Sequence, residues 1–488
     1  MAGVKAMDHT LFDEFKIKGI WWNPNNPEKK EAGFLFFSEM NIELELIGSL
    51  TERYLNSGLQ EYEILHGVSD KGENFTLMHC YVKKFEFSAP GFQTETFSIH
   101  SFIVGDCFDS LEEIHFHSIS FQPTYLTEWI GRHVFLESKM KSDDENSSFN
   151  GETVSINQVD NFSYYIDSLQ AKITETQLTK ISSDPSKKVL WTNKSGIEIV
   201  PDKKMNLLWF EKNMYLFNDL LNLFIGHATY FESIILFGDE QQIKGSNYKI
   251  RKEHMYFFKQ DKSKLKDNFH WSDVILSFKD VDKDLHQIIN LWFKNHQSLE
   301  VVYDLHFGDF YKNVYIDVSF LNAIQVLEIY HRKNFEGKIY DKIEYRRLKN
   351  QLREVIENKF PEDFVKIVES KVNYGNEFSL AMRVKEIIFN FREETRAKLL
   401  GNEEQINVFI RQLVDTRNYL THHDSDAKKY LLREPIQKYY AIQRLKSIST
   451  LILFLEVGLE EELMITKIMG SRQYSDKLIT AKEILNYK

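Results

Sequence analysis

Residues 402–422 read NEEQINVFIRQLVDTRNYLTH. Asn402 suits an N-cap, since a short side-chain acceptor there satisfies a free amide of the first turn. Glu403 and Glu404 follow where carboxylates favour the helix dipole. Ile406, Phe409, Ile410, Leu413 and Leu420 recur at helical spacing, which predicts one amphipathic helix with a core-facing stripe. At about 100° per residue Arg417 falls in the middle of that stripe, where an apolar residue belongs. Asn418 and His422 are four apart and share a flank, whereas His423 points away from Asn418. Arg417 and His422 do not lie on one side of an ideal helix. Their charges converge only through the long Arg side chain, a loosened last turn or a second copy of the protein.

A permanent cation, an amide and an imidazole together are equipped for phosphodiester chemistry without a metal. The His422 imidazole can act as general base or acid. Arg417 can neutralise charge building on a phosphorane, and Asn418 can orient His422 or contact the phosphate. The plain alternative is a partly buried Arg417 paired with a carboxylate elsewhere, because an unpaired buried guanidinium is costly.

Working outward, residues from Ile316 to Tyr487 read as nearly all helix, in segments near 318–332, 342–359, 375–395, 402–422 and 434–467, as in a bundle. Residues 1 to about 138 instead alternate in short runs rich in Phe, Ile, Val, Tyr and Thr, such as Gly33 to Phe37, Ile42 to Leu46, Phe75 to Phe87 and Thr96 to Val104. These runs predict a largely antiparallel β domain. Lys139 to Glu152 is polar and reads as a linker or long loop. Strands resume near Phe162 to Ile173 and Gly196 to Val200. The most apolar stretch, Met214 to Phe237, reads as buried helix, with breaks in the helical pattern at Met255 to Phe258 and Val301 to Leu305. The expected fold class is α+β: a β-rich domain over 1–200, a mixed and mostly helical connecting region over 201–315, and a helical domain over 316–488.

The order of several motifs is similar to that of the ApeA family of bacterial anti-phage proteins. Arg417-Asn418 followed by His422 resembles the signature of HEPN domains, helical bundles marked by Arg, a polar residue, a few variable positions and His. Phe320 to Glu328 with His331-Arg332 resembles the family's first long helix. Ile20-Trp21-Trp22 with Pro24, Leu44 to Gly48 and Ile64 to Gly67 resemble its N-terminal domain. The resemblance implies a HEPN endoribonuclease whose bundles pair so that both motifs face one cleft, making a homodimer the default. It further implies abortive defence: a toxin-like enzyme quiet until a phage-derived trigger, then cleaving RNA such as tRNA, with the β-rich region as sensor. The contrasting reading is a non-catalytic helical interaction module with a β-rich recognition domain. A third is a HEPN toxin silenced by a separate nucleotidyltransferase-type partner.

Bulk properties bound these readings. With 488 residues the chain is too long for one core. A net charge of −11 argues against a general nucleic-acid coat protein. It leaves room for a local basic cleft, for which Arg346, Arg347, Lys349 and Arg353 are candidates on one helix, and Lys428, Lys429, Arg433, Lys438, Arg444 and Lys446 after the motif. No apolar run reaches the roughly 18 residues of a membrane span, and no signal sequence opens the chain. Cys80 and Cys107 are the only cysteines and fit a reducing cytoplasm. His115 and His117, with His100 nearby, could meet on one strand face, but no third zinc ligand stands at a recognised spacing. No nucleotide-binding glycine loop, nucleophile elbow or zinc-protease helix occurs, so no cofactor is expected.

Overall fold

The computed structural model describes residues 9–51, 61–88, 90–140, 151–157, 159–184, 187–242, 249–270, 273–423 and 429–485. The chain divides into two units, Met1–Phe293 and Lys294–Lys488. The segment 201–315 is thereby shared between them.

In the first unit, strand formation follows alternation. Across β3 (Ile42–Ile47), Ile42, Leu44 and Leu46 are buried while Glu43 and Glu45 face outward. Six antiparallel strands close on themselves: β1 (Phe15–Asn23), β2 (Asn26–Phe37), β3, β6 (Gln93–Val104), β5 (Asn74–Phe87) and β4 (Glu61–Ser69), which returns to β1. Closure leaves this ring without a free edge. One edge of β6 is long enough for two partners, so beyond β3 it also carries β12 (Lys249–Phe258). The sheet then runs on through β11 (Phe231–Gln242), β7 (Ser118–Pro123), β10 (Lys188–Pro201), β9 (Ala171–Asp184) and β8 (Ser163–Ile166), twelve strands among the described residues.

Trp21 fills the inside of the ring, fully buried, and Gly67 faces it from the neighbouring strand. A Cβ on Gly67 would fall 2.1 Å from the indole, so only glycine lets the two strands pair over that ring. Two of the motifs singled out in the sequence, Ile20-Trp21-Trp22 and Ile64 to Gly67, thus meet.

The stretch Met214 to Phe237 is not one helix. Helix α1 (Leu207–Ile225) stops at Gly226, which adopts a left-handed φ of 80°, and β11 follows. The buried amides of Asn218 and Asn222 bind Thr229 and fix the turn: the Thr229 amide donates to Asn222 Oδ1 at 2.7 Å, and Asn218 Nδ2 donates to the Thr229 carbonyl at 3.1 Å. Lys139 to Glu152 lies largely outside the described residues; at its ends, the strand Phe135–Met140 pairs with Gly151–Ile156. Among the described residues no helix is long and apolar enough to cross a membrane.

Val301 to Leu305 belongs to helix α2 (Leu285–Tyr311), not to a break. Its β-branched residues suggest strand, but Leu299, Val302, Tyr303, His306 and Phe307 are buried at helical spacing while Val301 faces outward, so packing overrides local propensity. Helices α3 (Ile316–Asn334), α4 (Lys342–Glu357), α5 (Glu362–Val372), α6 (Leu380–Asn390), α7 (Glu393–Leu399), α8 (Glu403–His422), α9 (Pro435–Glu456), α10 (Glu461–Gly470) and α11 (Ser475–Leu485) follow. Helix α9 is the axis of this unit and packs on α3, α7, α10 and α11. The observed architecture is a β-rich antiparallel region followed by a helical bundle.

Two polar groups sit uneasily in the bundle. Ser449 Oγ donates to the Lys446 carbonyl, so it accepts from His306 Nδ1 at 2.9 Å, and His306 Nε2 is left as a buried acceptor without a partner. Burial, with Lys446 adding to it, pushes the His306 pKa down to about 3. Arg444, 1% exposed on α9, lies over the Phe409 ring at 5.3 Å, and its three guanidinium nitrogens meet no acceptor. Burial pushes its pKa down to about 10.

Both features give expected outcomes. The unfolded His306 imidazole gains its proton near about pH 6.5, the folded one only near 3. Its contribution is therefore fully present above 6.5 and lost as the pH falls, at up to about 1.4 kcal/mol per pH unit. Urea unfolding at pH 7 and pH 4.5 should show a smaller acid loss in His306→Leu than in the parent. For Arg444→Met, removal of an unpaired buried charge should raise the unfolding free energy by about 1–4 kcal/mol, read as a higher Tm; a lower Tm would show that the guanidinium is compensated.

Candidate functional site

Helix α8 begins as its sequence predicts. Asn402 Oδ1 accepts from the Gln405 amide at 2.9 Å, and Gln405 Oε1 accepts from the Asn402 amide at 3.0 Å, a reciprocal cap that satisfies two free donors. Its buried face comprises Ile406, Phe409, Ile410, Gln412, Leu413 and Thr416. The stripe ends at Thr416. Arg417 and Leu420 are only half-buried. The expectation that Arg417 occupies the middle of the core face is corrected accordingly: it sits at the boundary between core and solvent.

Arg417 Nη1 approaches Asn418 Oδ1 at 3.4 Å, a long contact that leaves most of its donors available. Thr421 Oγ1 donates back to the Arg417 carbonyl at 2.9 Å, satisfying an acceptor of the final turn. His422 is exposed and makes no hydrogen bond to Asn418, to Arg417 or to any other described residue. His423 ends the helix in a left-handed conformation, φ 48°, with its amide bonded to the Tyr419 carbonyl. Its ring meets Tyr419 edge-on. Within one chain, then, the helix end presents a guanidinium, an amide and an imidazole without joining the imidazole to the other two.

The segment after the motif returns along α8. The Leu432 amide donates to Thr416 Oγ1 at 3.0 Å, and Arg411 Nη1 donates to the Tyr430 hydroxyl at 3.2 Å. Lys429 and Arg411 both stand over the Tyr430 ring. Lys429 and Arg433 are exposed beside this strap; Lys428 lies outside the described residues. Arg346 and Arg347 are exposed on α4, whose main neighbour is α5, and Arg353 there is held by Glu357 and Glu369. Three other cations considered for a basic cleft have structural roles. Lys438 pairs with Asp317, Lys446 with Asp309, and Arg444 is the buried guanidinium over Phe409.

Sequence reading did not find Arg411 and Tyr430, which flank the motif through the strap, since nothing in their spacing marks them. Nor did it find the polar knot at His331. Arg383 can only donate, so its Nη1 bond of 3.0 Å makes His331 Nδ1 an acceptor, and His331 Nε2 must donate to Glu386 at 2.6 Å. Burial depresses the His331 pKa against the pull of Glu386. The knot ties α3 to α6. The N-terminal histidines do not gather: His117 pairs with Asp239 at 2.9 Å, and His100 faces His79 instead. Among the described residues no group of three His, Cys, Asp or Glu side chains is placed to hold a metal ion.

Two family models match the chain. ApeA N-terminal domain 1 covers residues 16–292, and the Apea-like HEPN domain covers 321–463, which includes α8 and its motif. Neither a curated protein nor a solved structure matches it. With the first model spanning the closed ring and its extension, and the second spanning the bundle around α9, the chain belongs to the ApeA family of HEPN-domain proteins.

Proposed function

We propose that this protein is an endoribonuclease of anti-phage defence, with Arg417, Asn418 and His422 as its catalytic residues. The observation that carries the reading is the free end of α8. There an exposed imidazole with no hydrogen-bond partner among the described residues and a half-buried guanidinium stand within one helical turn and a half of each other, in a domain matched by the Apea-like HEPN model. Half-burial holds the Arg417 stem in place while its donors remain open, the preorganisation that stabilising a phosphorane needs. His422 supplies an imidazole, the side chain suited to general acid and base chemistry.

In the proposed reaction His422 takes the proton of a ribose 2′-hydroxyl, whose oxygen attacks the adjacent phosphorus. The bond to the 5′-oxygen breaks, that oxygen receives a proton, and a 2′,3′-cyclic phosphate and a 5′-hydroxyl result. Arg417 neutralises the equatorial oxygens during the exchange. Because His422 is joined to neither Arg417 nor Asn418 within one chain, the proposed active form is a homodimer in which the motifs of two copies face one cleft. Lys429 and Arg433 beside the strap would hold the RNA backbone, with Arg346 and Arg347 on α4 as outlying contacts. A phage-derived trigger acting on the N-terminal unit, and tRNA as one target, are the further parts of this reading.

The apolar residues exposed on α4 and α5, among them Ile343, Val355, Phe364 and Ile367, favour a second reading in which the bundle only docks a partner. The two separate cleanly. Total RNA incubated with the parent protein should yield fragments ending in cyclic phosphate. Arg417→Ala and His422→Ala should each lose about 100-fold or more in cleavage rate while keeping the parent Tm. Cleavage by both variants at the parent rate would refute the catalytic assignment. The same RNA with a 2′-deoxy substitution at the cut site should be inert, and a chelator should leave the rate unchanged.

A further inference from the structure

The N-terminal unit carries a second feature that cleavage chemistry does not use, a solvent-open cavity of about 260 Å³ beside the first turns of α1. Met78, Leu111, Ile114, Leu207 and Leu208 give it apolar walls, and its polar groups are those of His79, His100, Ser101, Asn206, Glu211 and Tyr256.

The backbone is distorted where the cavity meets the sheet. His79, inside β5, has a left-handed φ of 52°. Its neighbours Met78 and Cys80 pair with strands on both sides, but His79 pairs with neither. A β strand gains nothing in packing from such a conformation, and strain of this kind gathers at binding sites. It brings the His79 ring edge-on to His100, 6.0 Å between centroids, with Glu61 behind it at 3.9 Å.

Among the described residues Glu211 is the one carboxylate of the lining. Glu211 Oε1 accepts the hydroxyl proton of the buried Tyr256, while no described donor meets Glu211 Oε2. Burial raises the Glu211 pKa, opposed by Tyr256 and His79; an anionic guest would repel the carboxylate and a cationic one would stabilise its charged form. Burial, with His79 adding to it, lowers the pKa of His100, which keeps its imidazole neutral and able to accept. Two of the amides at the start of α1, which would otherwise draw an anion, are engaged: Leu207 donates to the Ile114 carbonyl at 3.2 Å, and Trp209 to Asn206 Oδ1 at 2.9 Å. A bare metal ion is disfavoured, since no group of three suitable ligands is placed for one among the described residues.

We propose that this cavity binds a small organic monocation bearing N–H donors, an amine or amidine on a single ring or a chain of similar size, with Glu211 as its counter-ion, His100 as a second acceptor and the Met78, Ile114 and Leu207 side chains around its apolar part. The site is independent of the α8 motif, so it stands or falls apart from ribonuclease activity.

The test is calorimetric titration of the full chain with benzamidine and phenethylamine as cations, and with benzamide and benzoate as neutral and anionic counterparts. Saturable heat is expected from a cation at concentrations up to about 10 mM, a range suited to fragments of this size. Glu211→Gln should weaken it at least about tenfold. His100→Leu should weaken it severalfold. Both variants should retain the parent circular dichroism. The proposal is overturned if neither cation gives saturable heat, if benzoate binds as well as benzamidine, or if both variants bind like the parent.

Discussion

From Ala441 to Phe454, helix α9 has no residue fully exposed to solvent, and the rest of the helical unit is arranged to make that possible. A helix buried on all sides must satisfy its polar side chains internally. Ser447 Oγ donates to its own helix at the Gln443 carbonyl, Thr450 meets the Tyr474 hydroxyl at 3.1 Å, and Lys446 finds Asp309 at 3.1 Å. Each bond fixes a neighbour as well as a group: Tyr474 positions the start of α11, and Asp309 the end of α2. Arg444 alone has a ring in place of an acceptor, which makes it the point where packing and charge conflict.

The same demand determines what α8 can offer. Its buried residues stop at Thr416, whose hydroxyl accepts the Leu432 amide and so brings the returning chain back to α9. Beyond that bond burial falls off: Arg417, Asn418 and Leu420 are half-buried and His422 is exposed. Core formation upstream thus exposes the motif. In the N-terminal unit a comparable constraint acts through size, since Trp21 occupies the ring only because Gly67 carries no side chain.

Local rules made much of this legible. The cap at Asn402, the alternation across Ile42 to Leu46, the β-rich first unit and the helical second one all follow from chemistry confined to a few neighbouring residues. What was not legible depends on partners far along the chain. Val301 to Leu305 looks like strand until its helical stripe is buried. Met214 to Phe237 looks like one helix because a single glycine and two buried asparagines, not a change in hydrophobicity, turn it into helix and strand. A cation followed by others looks like a nucleic-acid surface, yet Lys438 and Lys446 have carboxylates brought to them by α3 and α2. The cavity at Glu211 left no sequence signal at all, because His79, His100 and Glu211 come from two strands and a helix.

The angular problem within the motif is where these strands of argument join. Five residues at about 100° each place Arg417 and His422 roughly 140° apart around the helix, and half-burial anchors the Arg417 stem so that it cannot swing freely to close that gap. A loosened last turn is opposed by the bonds of Thr421 Oγ1 and the His423 amide to the preceding turn. Of the three ways to bring the charges together, the two internal ones therefore work against interactions already present. Symmetry does not. A two-fold axis near the end of α8 would set each guanidinium opposite the other copy's imidazole and repeat the contact twice without bending either helix, which is why the proposed catalytic centre is assigned to two chains and not one.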